Sequence, residues 1–273
     1  MKKLSDSDVS HIIFTRFNVR SGGKERSIRD QSGWLKGRYE LFDIYCFPSI
    51  VAQTDKNFKW LVFFDEETPE EYKKKNEAYQ SILPQFTPVY VGEWTTETVN
   101  SAINAAISPG SHWLLTTRLD NDDGLNSEFV KTLKDANFTG ATYFNFPDGL
   151  TFSDGDGYAH QDLSNAFLSY VEPVDNFEGV WKYPHPEVIK KFDVKQLALP
   201  YAWLQVIHGG NVSNKVRGKV ERPESWQAAY SNLTRLTVNK LSIGRSLLDF
   251  VFHSNYRRLR DRSIWAIKLV LRR

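Results

Sequence analysis

The residues best equipped for chemistry stand together at 118–124, Arg-Leu-Asp-Asn-Asp-Asp-Gly. Asp120, Asp122 and Asp123 are crowded enough to raise one another's pKa unless something positive meets them. A divalent cation is the simplest partner, because Asp120-Asn121-Asp122 has the Asp-x-Asp form that can share a hard ion with a diphosphate. A solvated acidic loop that caps the next helix is the other reading of the tripeptide. His208 stands far along the chain, after the apolar run 203–207 and before Gly209-Gly210. Those glycines let the backbone approach a ligand closely. An imidazole brought back to the acidic turn would complete a metal site with Asp120 and Asp122.

Cationic and further acidic groups are also placed at predicted strand ends. The stretch after the first strand carries Arg16, Arg20, Lys24, Arg26 and Arg29 around Gly22-Gly23. It matches neither a Walker loop nor a dinucleotide fingerprint; it sits where ligands bind in α/β sheets, or is a plain solvated loop. Asp65 ends a strongly apolar strand and either accepts hydrogen bonds from a ribose or base, or caps the helix that follows. Cys46 is the single cysteine, so no disulfide forms within the chain. Its apolar setting reads as a small buried residue rather than a reactive thiol.

The elements that must position these groups follow from hydrophobic periodicity. Strands are predicted at 11–14, 58–64, 87–91 and 113–117. Helices are predicted at 34–53 (with a kink or new turn at Pro48), 70–83 and 95–107. After the acidic turn come a helix at 126–135 and strands at 141–146 and 150–152, followed by irregular sequence. Ser153–Gly157 reads as a turn, not a calcium loop, because the further ligands and closing glutamate are missing. The alternation predicts an α/β fold, Rossmann-like, with a mostly parallel sheet and helices on both faces. A loop-rich second half would shape the substrate cleft.

Composition bounds the partners. Hydrophobic residues make up 41% and aromatic residues 14% of the 273 positions, enough for one buried core. The formal charge is only +2, yet residues 245–273 hold seven arginines and one lysine against two aspartates, a net +6. The expected organisation is a domain over 1–240 and a basic, amphipathic helical tail over 241–273. That tail either lies on an anionic membrane surface or packs on the domain. No nucleic-acid recognition module accompanies the charge. With no leader pattern and no apolar run of membrane-spanning length, a cytoplasmic location is expected, either free or peripheral at the inner face of the plasma membrane.

Several stretches together resemble a known family. They are TRFN at 15–18, GRYELFDIYCFPSIVAQTDKNFKWLVFFDEETP at 37–69, TTRLDNDDGL at 116–125, NAFLSYVE at 165–172 and WLQVIHGGNVSN at 203–214. The chain resembles glycosyltransferases of the GT-A fold and, more closely, the rhamnosyltransferase family of bacterial surface-polysaccharide loci. The resemblance implies a nucleotide-sugar donor, a glycan or lipid-linked glycan acceptor, and Mn²⁺ or Mg²⁺ held by Asp120, Asp122 and His208. It implies Thr15, Phe17 and Asp65 as holders of base and ribose, with Asp120 shared between ribose and metal. Arg16 and Arg118 are candidate fixed cations for the diphosphate, or Arg118 simply pairs with a neighbouring aspartate. An inverting transfer needs a base on the acceptor side; Glu172 is the first candidate, with Asp162 and Asp175 behind it. A sugar-phosphate nucleotidyltransferase and a non-enzymatic glycan or membrane binder with a structural metal are the alternatives.

Overall fold

The structure is a computed structural model that describes residues 2–20, 32–209, 215–240 and, beyond these, Asp249, Asn255, Tyr256 and Leu259. Its principal strands are β1 (Val9–Arg16), β2 (Lys59–Asp65), β3 (Phe86–Val91), β4 (Trp113–Arg118), β5 (Gly124–Leu125) and β6 (Thr142–Asn145). They continue with β7 (Asp148–Ser153), β8 (Asp156–Gln161), β9 (Ser169–Pro173), β10 (Val194–Gln196), β11 (Trp203–Val206) and β12 (Lys219–Val220). The helices that matter here are α1 (Trp34–Leu41), α2 (Phe47–Val51), α3 (Glu70–Ile82), α4 (Thr96–Ala106), α5 (Phe129–Lys134) and α6 (His185–Lys191).

The larger sheet has the order β10-β6-β9-β4-β1-β2-β3. Strands β4, β1, β2 and β3 run parallel, β9 lies antiparallel between β4 and β6, and β10 pairs parallel with β6. The sheet is therefore mostly parallel, and its central strands are apolar on both faces, as helix-covered strands must be. In β2, Trp60, Val62 and Phe64 enter one core with Tyr39, Phe42, Phe47 and Tyr79 of the helices on that side. Leu61 and Phe63 enter the opposite core with Ile103 and Ala106 of α4. Helix α4 starts on a reciprocal cap, in which Thr98 N–H donates to Thr95 Oγ1 at 3.2 Å and Thr95 N–H to Thr98 Oγ1 at 3.1 Å.

Residues 34–51 form one helical run, but α1 passes into a π-helical turn at Phe42–Cys46 before α2. Pro48 cannot donate to the preceding turn, and the wider turn just upstream lets the run continue past it. The residues at this bulge meet the acidic turn: a Cβ on Gly124 would lie 3.4 Å from both Ser49 Cβ and Tyr45 O.

The second half is more regular than its sequence suggests. A second sheet, β12-β8-β7-β11-β5, packs around Leu150, Phe152, Leu204, Val206 and Trp226. Strands β7 and β8 form a hairpin turned by Asp154 (φ 51°) and Gly155 (φ 84°), so the stretch at 153–157 is a turn of the kind that needs two left-handed residues. Asn239 ties the chain back to this hairpin through Asp154 O at 2.7 Å.

Among the described residues no helix is long and apolar enough to cross a membrane. Most of the basic tail lies outside the described residues, but Asp249 accepts the N–H of Val220 in β12 at 3.1 Å. The basic loop at 21–31 and residues 210–214 also lie outside them.

Candidate active site

The acidic turn is pinned at both ends before any ligand is considered. Leu119 is buried and donates its N–H to Phe14 O at 3.0 Å. The Asn121 amide donates to Arg16 O at 3.2 Å and Phe17 O at 2.8 Å, holding the turn against the carboxyl end of β1. Asp123 points inward, and its Oδ1 accepts the N–H of Val206 at 2.9 Å. Burial, with Asp122 and Asp120 alongside, pushes the Asp123 carboxyl well above the usual range.

The second sheet delivers the histidine. Strand β11 pairs antiparallel with β5, Leu204 opposite Gly124 and Trp203 opposite Leu125, so the chain beyond Val206 runs back along the acidic turn. His208 Nε2 lies 2.8 Å from Asp122 Oδ2. The same oxygen is 2.8 Å from Arg38 Nη1, which also reaches Asn121 Oδ1 at 3.2 Å. Burial raises the Asp122 pKa, but His208 and Arg38 outweigh it and hold the carboxyl below its ordinary value.

Two guanidiniums and a second indole gather around Trp181, and one of the guanidiniums reaches Asp120. The Arg118 guanidinium lies 3.8 Å from the ring centre of Trp181, with Nη2 3.4 Å from Asp120 Oδ2 and Nε buried without a hydrogen-bond partner. Arg16 stands 5.9 Å from Trp94 and 6.0 Å from Trp181. A guanidinium over an indole face is attracted to the ring and oriented by it.

Among the remaining sequence candidates, placement divides sharply. Thr15 is fully buried and its Oγ1 accepts the Trp60 indole N–H at 2.9 Å, so its side chain faces the core and no cleft. Phe17 is likewise interior, packed 4.5 Å from Tyr39 and 4.8 Å from Phe64, and only its carbonyl serves the turn. Asp65 accepts Arg20 Nε at 2.9 Å and the Glu67 N–H at 2.9 Å, the helix-side turn that its sequence position allowed. Glu172 does not join the acidic turn: it pairs across the sheet with Leu114, and its two oxygens accept the N–H groups of Glu178 at 2.9 Å and Gly179 at 2.7 Å. Burial raises its pKa, but its acceptors are committed to folding the 174–180 loop.

Asp162 is better exposed to a substrate. Oδ1 accepts the Ser164 N–H at 2.9 Å, and Oδ2 faces Arg217 at 3.9 Å. Close by stands His185, which the sequence reading passed over. Its Nδ1 is 2.6 Å from Ser164 O, and burial lowers its pKa while the charges of Arg118, Asp162 and Asp120 all reach it. Cys46 is buried, its thiol pushed up by burial and by the nearby aspartates, as expected of a packing residue.

Two carboxylates and an imidazole are the right donors for Mn²⁺ or Mg²⁺. Asp122 and His208 are already in contact, and Asp120 lies two residues from Asp122. Among the described residues no group of three or more acidic, histidine or cysteine side chains is placed to hold a metal ion; Asp122 and His208 form a contacting pair.

A family model described as "Putative rhamnosyl transferase" matches residues 11–220. The chain belongs to this rhamnosyl transferase family. It is therefore a glycosyltransferase, with the α/β organisation and mostly parallel sheet that the alternation predicted. No curated protein sequence matches the chain. Among solved structures, this rhamnosyl transferase family member is similar to S. aureus TarS 1–349 in complex with UDP-GlcNAc, at 13% identity and TM-score 0.45, over 87% of this chain and 69% of that one. It is also similar to the inositol-1-phosphate CTP transferase from T. maritima, at 10% identity and TM-score 0.39, over 85% of this chain and 98% of that one. A third likeness is to a nucleotide-diphospho-sugar transferase from Desulfovibrio desulfuricans G20, at 15% identity and TM-score 0.37, over 74% and 82% of the two chains.

Proposed function

We propose that the protein transfers a sugar, rhamnose by its family, from a nucleoside diphosphate sugar to a hydroxyl of a surface-glycan acceptor, using a divalent cation. The observation that carries this reading is the return of His208 Nε2 to within 2.8 Å of Asp122 Oδ2 at the carboxyl edge of the parallel strands. Asp122 and His208, with Asp120 beside them in the turn, are the residues that would hold the ion, Mn²⁺ or Mg²⁺. When bound, that ion offsets the charge that develops on the departing diphosphate.

The protein's own residues account for the rest. Arg118 and Arg16, held by Trp181 and Trp94, present fixed positive charge to the phosphates, and the guanidinium edge suits two-point contact with an oxyanion. Asp162 takes the acceptor hydroxyl's proton, a role for which Glu172 is badly placed because both its oxygens are in use.

The test is a thermal-shift screen of nucleotide sugars with Mn²⁺, since a ligand of the native state raises the melting temperature. Transfer or hydrolysis of the donor so found follows. Asp122→Asn is expected to lower kcat/KM by roughly 100-fold or more, the scale of losing a charge-stabilising group. Asp162→Asn is expected to lower kcat with little change in donor binding. Full activity of Asp122→Asn, or in the presence of a chelator, would remove the metal from the reading.

A further inference from the structure

Asp122, the central ligand of that reading, is already satisfied by a cation of the protein's own. Arg38 projects from α1 so that its Nη1 lies 2.8 Å from Asp122 Oδ2 and 3.2 Å from Asn121 Oδ1. Trp34, one turn earlier, lies 5.5 Å from the guanidinium and backs it. Both partners are largely withdrawn from solvent, at 15% and 10% side-chain exposure, so the attraction is weakly screened. The oxygen that Arg38 holds is the one His208 Nε2 also reaches.

This geometry sets a conflict. A guanidinium stays charged at any pH a protein tolerates. An ion arriving at Asp122 and His208 must take a place beside that fixed charge, and the two positive groups repel. A diphosphate supplies negative charge that both can share.

Resting on the metal reading above, we propose that Arg38 is a built-in counter-cation of the Asp122–His208 pair. It competes with the divalent ion, so that the site takes up its ion weakly alone and strongly with the nucleoside diphosphate. Arg38 thereby keeps the acidic turn folded without metal and couples metal uptake to donor arrival. Such coupling is reciprocal: whatever the diphosphate does to metal affinity, the metal does to diphosphate affinity.

The experiment is calorimetric titration of Mn²⁺ into the full chain, with and without UDP, for the wild type, Arg38→Gln and Arg38→Lys. Arg38→Gln is expected to bind Mn²⁺ alone at least about 10-fold tighter than the wild type, because a competing charge is gone. Arg38→Lys, which keeps the charge, is expected to stay near the wild type. UDP should raise Mn²⁺ affinity more in the wild type than in Arg38→Gln. Without metal, Arg38→Gln should melt lower than the wild type, and Mn²⁺ should close that gap. A merely structural arginine would lower the melting temperature equally with and without Mn²⁺ and leave the metal affinity unchanged or weaker; that result overturns the proposal. If Arg38→Lys tightens binding as much as Arg38→Gln, charge competition is likewise overturned. If no protein binds Mn²⁺ in either condition, the metal reading falls together with the Arg38 proposal. If the wild type binds and Arg38→Gln is no tighter, the Arg38 proposal falls alone.

Discussion

Single side chains in this protein are decided by what burial does to charge. His11, in β1, shows it away from the site. Its Nε2 is 2.9 Å from Thr117 Oγ1, while Nδ1 is buried with no partner. Burial, helped by the Lys134 charge, holds the imidazole well below its ordinary pKa. The unfolded chain binds a proton there below about pH 6.5, whereas the folded one stays neutral. Stability from this group is therefore complete above about pH 6.5 and lost as pH falls, by about 1.4 kcal/mol per pH unit until the folded pKa is reached. Urea unfolding of the wild type and His11→Gln at pH 7.5, 6.5 and 5.5 checks the sign. The wild type should lose stability faster than the variant over the lower step, and parallel losses would assign the acid sensitivity elsewhere. Glu172 teaches the same lesson from the other side. A carboxylate at a strand end looks like a base in the sequence, but its pairing with two backbone N–H groups makes it a loop clamp.

At the scale of elements, the acidic turn depends on a strand that is far from it in the chain. Strand β11 leads into His208, and it lies close against β7 only because residue 149 has no side chain. A Cβ on Gly149 would stand 2.0 Å from the Trp203 indole, which is itself fully buried and donates to Phe146 O at 2.9 Å. Gly149→Ala is expected to cost about 1–3 kcal/mol as an overpacked core does. If the proposed metal site holds, the substitution should also weaken Mn²⁺ binding by displacing His208. Calorimetry below the variant's melting temperature checks this, and unchanged affinity would show that the strand absorbs the strain. The first half of the fold was legible because its strands and helices carry local periodicities: β1 to β4 and α3 and α4 lie within a residue or two of where the pattern places them. Strand β9 was not legible. Its sequence, Ser-Tyr-Val-Glu-Pro, has no run of its own, and it becomes a central strand only by pairing with β4 and β6. The pair Asp122 and His208 could be suspected from residue type, whereas Arg38 could not, because nothing local links it to a residue 84 positions away.

The whole molecule is electrostatically divided. Residues 245–273 carry a net +6, and the remainder sums to −4. Asp249 docks on Val220 and is buried, so the start of this stretch touches the second sheet. Tyr256 and Leu259 stand at 66% and 63% exposure. At least one contact thus crosses residue 240, where the tail is expected to begin. A chain ending at Leu259 loses a net +4 while keeping Asp249. With each basic residue near such a surface contributing about 1 kcal/mol, its partition onto phosphatidylserine vesicles should drop by roughly 100-fold or more. Co-sedimentation of the two lengths decides it; equal binding would return the tail to a packing role.

The hydrogen bond from Val206 N–H to Asp123 has a consequence for how the protein comes into being. It closes a span of 83 residues, and the His208 contact closes one of 86. During synthesis the first parallel strands and the acidic turn emerge long before β11 does, so a nascent chain carries crowded aspartates with no strand to receive the buried one. Contacts this distant in sequence form late and slow the folding of the region they join. The Asp122–His208 pair thus arises only when the second sheet closes, so a partly made chain cannot yet assemble it.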